Sequence, residues 1–357
     1  MSEWIRPSRD ADHARIAHQT NALRPSHRRA EQCVEPYRRR IWLHRLVLRR
    51  PAVDQAWIGA WCMASLGSPP RTVLFETGYL SQVLGLVLDD ERRVVVKVRP
   101  WADRLVGCAE VHAALFRTGY PCPQPLTGPQ QVGDLAVSAE SLVDDHVQLA
   151  PEHDSSQLFA DALIRLVDRA PPVSELPALQ PAPPWADWHD RGRAVLWPEP
   201  DDRDGDLNAV ETNWIDRTAS IARTWLLDFP TQSVVGHLDW YSANLGWRDR
   251  ELAAVFDWDS VGAQPEFGIA GLAAAVWPAT GDPGDGATLQ QSEQFLHHYG
   301  HSRGWSAQER QAAWAAGLWV RCFDAKKAQA VHNDPDVVFT RSEARHRLQL
   351  AGLPDDV

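Results

Sequence analysis

Residues 234–259, VVGHLDWYSANLGWRDRELAAVFDWD, are the stretch that most constrains what this chain can fold into. The first part has the spacing H-x-D-x-x-x-x-N, formed by His237, Asp239 and Asn244. A short apolar run then predicts a strand that delivers Asp257 and Asp259. Phosphoryl transfer needs a carboxylate beside the acceptor hydroxyl, and an amide with another carboxylate on Mg²⁺. The segment therefore predicts half of such a site, and a nucleotide-binding lobe must supply the other half.

The spacing of these residues decides how they can meet. Asp239 and Asn244 are five positions apart, too far for one helical face, so they converge only if the loop folds around a shared target. Alternation along the strand places Asp257 and Asp259 on one side, where both can face a metal ion. Two aspartates at a strand end could instead cap turns. The imidazole, carboxylate and amide just upstream favour the metal site, because the combined pattern is more specific than any part.

Lysine usage identifies a candidate phosphate ligand. Of the 36 Lys and Arg residues only three are lysines, namely Lys97, Lys326 and Lys327. Lys97 lies inside the apolar run at 94–98. In a chain that otherwise uses arginine, a compact charge on a slim stem suits phosphate oxygens reached from a strand. The alternative is a lysine that protects an edge strand from unwanted pairing.

The residues before Lys97 predict a β-rich lobe. We expect strands at 72–75, 82–88 and 92–98, joined by turns at 76–81 and 89–91. Alternation puts Val95 and Lys97 on one face of the third strand. The first turn contains Gly78 and Ser81 and could place backbone N–H groups over phosphates. With one glycine only, an ordinary hairpin is an equally open interpretation.

The next segments predict a helix, more strand and a linker. A helical pattern covers 102–117, and Glu110 lies beside its apolar face, where it could pair with Lys97 or remain a solvated surface residue. Further strands are expected near Leu126 and at 135–138. Residues 138–145 are predicted to link two lobes and to offer backbone groups to an adenine. The remaining helices are expected at 51–66, 155–169, 208–228, 269–276, 289–299, 307–330 and 342–350.

The order of these features resembles the aminoglycoside phosphotransferase family of the protein-kinase-like fold, over roughly residues 71–345. The shared order is a lysine on a third strand, a glutamate on the next helix, the H-x-D-x-x-x-x-N spacing, and a strand ending in Asp-Trp-Asp. The resemblance implies an α+β, bilobal protein-kinase-like fold with a small antiparallel β N-lobe and a larger helical C-lobe. We expect a helical N-terminal extension at 1–70, the N-lobe at 71–140 and the C-lobe at 141–357.

On the nucleotide side, the resemblance implies ATP bound between the lobes. Lys97 would contact the α- and β-phosphates, and Glu110 would orient its ammonium. Gly78 and Ser81 would lie in the same cofactor site.

On the catalytic side, the resemblance implies one residue that acts on the acceptor and others that hold Mg²⁺. Asp239 would accept the proton of the substrate hydroxyl or align that hydroxyl, and His237 would buttress the loop. Asn244 and Asp257 would hold the metal, with Asp259 as a further candidate ligand.

Two features of the sequence after Asp257 bear on activity and substrate. The family often has a second aspartate that braces the catalytic loop, and Gly268 stands at that position here, which puts the rigidity of the loop in question. Only about ten residues separate Asp257 from the helix predicted at 269–276, too few for the long activation segment with which protein kinases dock peptides. A small-molecule acceptor is therefore favoured.

Charge and composition limit the partners. The formal net charge is −11, and residues 1–50 carry twelve Arg against five Asp and Glu, so the remainder carries −11 − 7 = −18. An acidic body disfavours nucleic acid and favours a cationic small substrate. The basic leader lacks interleaved aromatics, so a solvated face or packing arm is preferred over nucleic-acid binding. Five scattered cysteines, no signal peptide and no membrane span predict a cytoplasmic location.

The sequence thus predicts an ATP- and Mg²⁺-dependent phosphotransferase acting on a hydroxyl of a small molecule, either antibiotic-like or another amine-alcohol. Two alternatives stay open: a nucleotide-binding pseudokinase that serves as a binding module, and an enzyme of the same fold that transfers AMP. The acceptor and the oligomeric state cannot be read from the sequence.

Overall fold

The computed structural model describes residues 50–357, except 153–154, 178, 201–205, 230–231, 281–284 and 356. Residues 1–49 of the extension predicted at 1–70 lie outside the described residues. The helices are α1 Gln55–Leu66, α2 Arg104–Arg117, α3 Ser155–Arg169, α4 Asn213–Asp228, α5 Glu266–Val276, α6 Leu289–Arg303, α7 Ala307–His332 and α8 Arg341–Leu350. The strands are β1 Pro70–Thr77, β2 Gln82–Leu88, β3 Arg93–Pro100, β4 Gln130–Val132, β5 Leu135–Ser141, β6 Ser233–His237, β7 Leu245–Arg248, β8 Glu251–Val255 and β9 Val261–Pro265.

The small lobe is a five-stranded antiparallel sheet in the order β1-β2-β3-β5-β4. Strand β3 is central and alternates as its sequence predicts: Val94, Val96 and Val98 are buried in the core of the lobe. Lys97 is paired with Ser138 of β5 and points to the opposite face. The valine face anchors the strand by hydrophobic burial and leaves the other face for the site.

Helix α1 belongs to the core of this lobe. It begins at the N-cap Asp54, whose side chain accepts a hydrogen bond from the Trp57 amide, and it ends at Gly67 in the left-handed conformation. Ile58 and Trp61 are buried in the same apolar cluster as the sheet valines. Helix α1, which lies in the extension predicted at 1–70, therefore shares one apolar core with the sheet of the small lobe.

The large lobe is mainly helical, as predicted. Helix α5 is buried along nearly its whole length and packs on α7, because its small residues allow the two backbones to approach closely. Two small antiparallel pairs, β6 with β9 and β7 with β8, hold the segment that carries the catalytic candidates. Trp305, Trp314 and Trp319 are core residues.

Several predicted boundaries were wrong, each for a local reason. Leu126 lies in irregular chain that hydrogen-bonds to Ala139, and the strand is the exposed β4, whose polar sequence shows no apolar alternation. The helix expected from Asn208 begins at Asn213, because the Asp206 side chain holds the Asn208 amide in a separate 3₁₀ turn. Strand β5 extends to Ser141 and so includes the first residues of the linker predicted at 138–145.

Within the described residues, no helix is long and apolar enough to cross a membrane.

Candidate active site

A cleft of about 2460 Å³ runs between the two lobes. Seven of the predicted site residues line it: Gly78, Ser81, Lys97, Asp239, Asn244, Asp257 and Asp259. Its volume exceeds the range of roughly 300–1,000 Å³ typical of a site for one drug-sized ligand. The cleft can therefore hold a nucleotide and a second molecule together.

Lys97 crosses the cleft to the carboxylates that follow β8. Its ammonium forms an ion pair with Asp257 and lies 2.6 Å from Oδ2 of Asp259. Arg99, two positions along the same face of β3, places Nε 2.7 Å from that same Asp259 oxygen. The four side chains form one network of two cations and two anions, and this network joins the lobes.

Charge pairing in a poorly solvated place shifts the pKa values of these groups. Burial alone would lower the pKa of Lys97, but the carboxylates of Asp257 and Asp259 outweigh it and raise that pKa. Burial alone would raise the pKa of Asp257, yet Lys97 holds it well below its ordinary value. Arg99 and then Lys97 likewise lower the pKa of Asp259 against the effect of burial. Lys97, Asp257 and Asp259 are therefore charged at neutral pH.

The loop after β6 brings the acceptor-side candidates together. The Asn244 side-chain amide donates to the Asp239 backbone oxygen at 2.9 Å and to Asp239 Oδ2 at 3.2 Å. A 3₁₀ turn at Ser242–Asn244 makes this contact possible over five positions. The nitrogen of the Asn244 side chain is occupied by Asp239, so the carbonyl oxygen Oδ1 is the atom that could coordinate a cation.

His237 is fully buried and does not line the cleft. Its Nε2 lies 3.0 Å from the Phe256 carbonyl and 3.1 Å from the Asp257 carbonyl, so Nε2 carries the proton and donates. Nδ1 then accepts from the Asp239 amide at 3.3 Å. Burial lowers the pKa of His237 and favours this neutral form. The ring thus connects the loop of Asp239 to the turn of Asp257 without reaching a bound substrate.

The donor set fits Mg²⁺. Asp257 and Asn244 offer hard oxygen ligands, and Mg²⁺ is commonly held by one or two carboxylates together with water and substrate phosphates. Asp257 has a left-handed backbone, with φ of 60°, and Ser260 donates to its Oδ2 at 3.2 Å. Among the described residues no group of three or more His, Cys, Asp or Glu could form an all-protein metal site. A metal held by Asp257 and Asn244 would complete its coordination with water or with substrate phosphates.

The structure does not bring Glu110 to Lys97. Glu110 is exposed on α2, and no ion pair between the two occurs among the described residues. Helix α2 is tied to the site by Arg104 instead, which donates to the backbone oxygens of Asp259, at 2.6 Å, and Val261. Arg99 and Arg104 were missed by the sequence analysis. The alternation that places Lys97 on one face of β3 also places Arg99 on that face.

The turn between β1 and β2 lies over the cleft. Gly78 has φ of 112°, and a Cβ atom there would lie 1.9 Å from the Ser81 carbonyl oxygen. Only glycine allows this tight turn. Gly78 and Ser81 both line the cleft, as the cofactor site requires.

Glu140 is a further residue that the sequence analysis missed. It is paired with Val95 in the β3–β5 register, so it shares the cleft face with Lys97, and it lies next to the end of β5. Burial raises the pKa of Glu140 to about 7, against a smaller lowering by Lys97. A carboxyl that changes charge near neutral pH therefore faces the part of the cleft that Lys97 lines.

Comparison with known proteins gives the fold. No protein-family model and no curated protein matches the chain. Solved structures do match it: aminoglycoside phosphotransferase APH(4)-Ia has a TM-score of 0.55 and 14% identity, over 85% of this chain and 100% of that one. Amicoumacin kinase hAmiN has a TM-score of 0.55 and 10% identity, over 84% and 92%. The chain has the aminoglycoside phosphotransferase fold.

This fold is the one predicted from the lysine, the H-x-D-x-x-x-x-N spacing and the Asp-Trp-Asp strand end. A third neighbour, spectinomycin phosphotransferase APH(9)-Ia, has a TM-score of 0.51 and 12% identity, over 85% and 94%. That protein was solved with ADP and spectinomycin, and hAmiN with AMP-PNP, Ca²⁺ and its antibiotic. At these identities the likeness establishes the architecture.

Proposed function

We propose that this protein is an ATP- and Mg²⁺-dependent phosphotransferase that moves the γ-phosphate to a hydroxyl of a small molecule. The convergence of Lys97 with Asp257 and of Asp239 with Asn244 in one interlobe cleft is the observation that carries the proposal. These side chains come from both lobes and supply the parts that phosphoryl transfer needs.

The chemistry assigns a role to each group. Lys97 and Mg²⁺ on Asp257 and Asn244 would neutralise the phosphates, and Asp239 would align the acceptor hydroxyl. Mg²⁺, when bound, supplies charge neutralisation across the transferred phosphate. His237 and Asn244 fix the loop of Asp239, so the carboxylate is positioned before the acceptor arrives.

The large-lobe wall of the cleft indicates the acceptor class. From residue 181 on, and apart from the catalytic segment at 234–259, the cleft is lined by four carboxylates (Asp187, Glu199, Asp285 and Asp324) and by two cations (Arg321 and Lys327). Asp187 is itself paired with Arg193. The excess of carboxylates favours an acceptor that carries amines as well as a hydroxyl. The fold neighbours bind antibiotics, which supports antibiotic-like amine-alcohols as the first compounds to test.

A mass-spectrometric screen tests the proposal. The protein is incubated with MgATP and a mixed library of amines and alcohols, and products heavier by about 80 Da, the mass of one phosphoryl group transferred as in kinases, are sought. Asp239→Asn serves as the control, because it removes the carboxylate while keeping a similar shape. A wild-type product that the variant does not form supports the phosphotransferase.

The same experiment separates the alternatives. An acceptor modified by AMP instead of phosphate would identify a nucleotidyl transferase. MgATP binding in a thermal-shift titration, with no ADP release on the whole panel, would identify a pseudokinase. Gly268 in place of a bracing aspartate favours the pseudokinase. The contacts that hold the catalytic loop in place of that aspartate therefore bear on which outcome is expected.

A further inference from the structure

The segment at 179–199, rich in proline and tryptophan, packs beside the catalytic loop and contributes to the cleft wall. Two hydrogen bonds fix it there. Gln264 of β9 donates from Nε2 to the Ala186 carbonyl at 2.9 Å, and the Trp185 indole Nε1 donates to the Leu238 carbonyl at 2.9 Å. The second bond reaches the residue between His237 and Asp239.

The peptide group between Leu238 and Asp239 is the part of the catalytic loop that sets the direction of Asp239. On one side its carbonyl, that of Leu238, accepts the indole N–H of Trp185. On the other side its N–H, that of Asp239, donates to His237 Nδ1 at 3.3 Å. The peptide plane is therefore held from both directions, which leaves Asp239 little freedom. The preceding peptide is also fixed, because the Leu238 amide donates to the Ser260 carbonyl at 2.9 Å.

Trp188 explains why the brace comes from this segment. A Cβ atom on Gly268 would lie 2.9 Å from Cζ2 of Trp188, and Trp188 is fully buried. The ring thus fills the space that an aspartate at 268 would need. The Trp188 indole nitrogen is buried without a hydrogen-bond partner in the part of the chain that the structure describes, so this ring fills volume and does not bind the loop.

We propose that Trp185 is a positioning residue for Asp239, and that its indole N–H, acting through the Leu238 carbonyl, takes over the bracing of the catalytic loop. The catalytic consequence rests on the proposed phosphotransferase function. The structural part does not, because the hydrogen bond joins two groups of the protein itself. Trp185 also lines the cleft, so the same ring joins the acceptor wall to the loop.

Two matched substitutions test this inference. Trp185→Phe keeps an aromatic ring and removes a bonded N–H, whereas Trp188→Phe removes an N–H that has no partner. Hydrogen exchange of the full-length protein is followed by mass spectrometry in peptides covering 238–244. Amides there are protected by bonds such as Tyr241 N–H to the Asp239 carbonyl and Asn244 N–H to the Tyr241 carbonyl.

We expect Trp185→Phe to speed exchange in these peptides by about five- to tenfold, the effect of one lost hydrogen bond, with other peptides unchanged. Trp188→Phe should leave exchange in the loop as in the wild type, even if it lowers the melting temperature. In the ADP-release assay, Trp185→Phe should lower kcat with the KM for ATP unchanged.

Unchanged exchange in Trp185→Phe, or the same increase in Trp188→Phe, would overturn the inference, as would faster exchange over the whole chain. The exchange measurement needs no nucleotide. A wild-type protein that releases no ADP while the loop still responds to Trp185→Phe would therefore refute the phosphotransferase and retain the brace.

Discussion

The Lys97 ammonium lies 2.6 Å from Oδ2 of Asp259, so the cation of the small lobe is oriented by the catalytic strand end of the large lobe. Asp259 also lies 2.7 Å from Arg99 Nε, and its backbone oxygen accepts from Arg104 of α2. Glu110 takes no part in this network. One carboxylate thus holds two cations of β3 and is itself held by α2.

Asp259→Asn should therefore weaken MgATP binding more than Glu110→Gln does. Losing the anion leaves Lys97 and Arg99 with one carboxylate between them, so the ammonium is less well placed for phosphates. We expect a loss of about tenfold in affinity, or about 1.4 kcal/mol, for Asp259→Asn, and less than about twofold for the exposed Glu110. Isothermal titration with MgATP measures both. Equal losses of MgATP affinity in the two variants would indicate that Glu110 of α2 orients Lys97 as much as Asp259 does.

Metal removal should act through Asp257. With Mg²⁺ present, the wild type is expected to bind ATP more tightly than with EDTA, because the metal offsets the repulsion between phosphates and the site carboxylates. Asp257→Asn should lose most of this difference, since it removes the charged metal ligand. Thermal-shift titrations with ATP in Mg²⁺ and in EDTA provide the comparison. A full Mg²⁺ effect retained in the variant would place the metal elsewhere.

Gly78→Ala should disturb the turn above the cleft. The added Cβ would lie 1.9 Å from the Ser81 oxygen at a φ of 112°, so the turn has to change shape. We expect the KM for ATP to rise by about tenfold or more, consistent with a strain of order 1–3 kcal/mol. Gly67→Ala is the control, because that glycine also has positive φ but has nothing within 4 Å and lies away from the cleft.

Glu140 should make stability depend on pH. Its pKa is raised from 4.5 to about 7 by burial, so between these values the folded protein binds a proton that the unfolded chain has released. Stability from this group is therefore fully present below about pH 4.5 and is lost as pH rises from there through about 7. Glu140→Gln should match the wild type at about pH 4 and be more stable at about pH 8, by on the order of 2 kcal/mol. Denaturant unfolding at both pH values tests the sign.

Two lysines of this chain should give opposite phenotypes. Lys326 is fully buried in the large lobe, where Nζ lies 2.6 and 2.8 Å from the Asp216 carboxylate oxygens. Lys326→Met should cost about 3 kcal/mol of unfolding free energy, because it removes the cation beside the Asp216 carboxylate. It should leave MgATP affinity unchanged, because neither Lys326 nor Asp216 lines the cleft. Lys97→Met should abolish MgATP binding. Urea unfolding and titration calorimetry on both variants separate the two roles.

The strands and helices that the sequence predicted well are those with a strong apolar period. Strand β2 was predicted at its observed bounds, and the valine alternation of β3 fixed which face Lys97 occupies. Helix α3 was likewise predicted at 155–169. Elements without such a period were missed, and β4 is an example. All three of its residues are exposed, so their sequence does not alternate between apolar and polar residues.

The candidate site likewise has a part that the sequence predicted and a part that it did not. The residue types and their order predicted Lys97, Asp239, Asn244 and Asp257 as parts of one site, because phosphoryl transfer requires those groups and few other arrangements use them together. All four line the interlobe cleft. The sequence did not predict which carboxylates pair with Lys97. Ion pairs form between atoms that are close in space, and the separation of two residues along the chain does not reveal that closeness.

By itself, the sequence determined which charged residue types the cleft holds, through scarce residues at fixed spacing, and it predicted the fold class through the family that these residues resemble. Only the tertiary structure decided that Asp259 holds Lys97, that Glu140 shares the cleft face of the sheet with Lys97, and that Trp185 contacts the catalytic loop. Each of these contacts joins segments that are distant along the chain, and packing of the whole molecule selects among the many partners that the sequence allows.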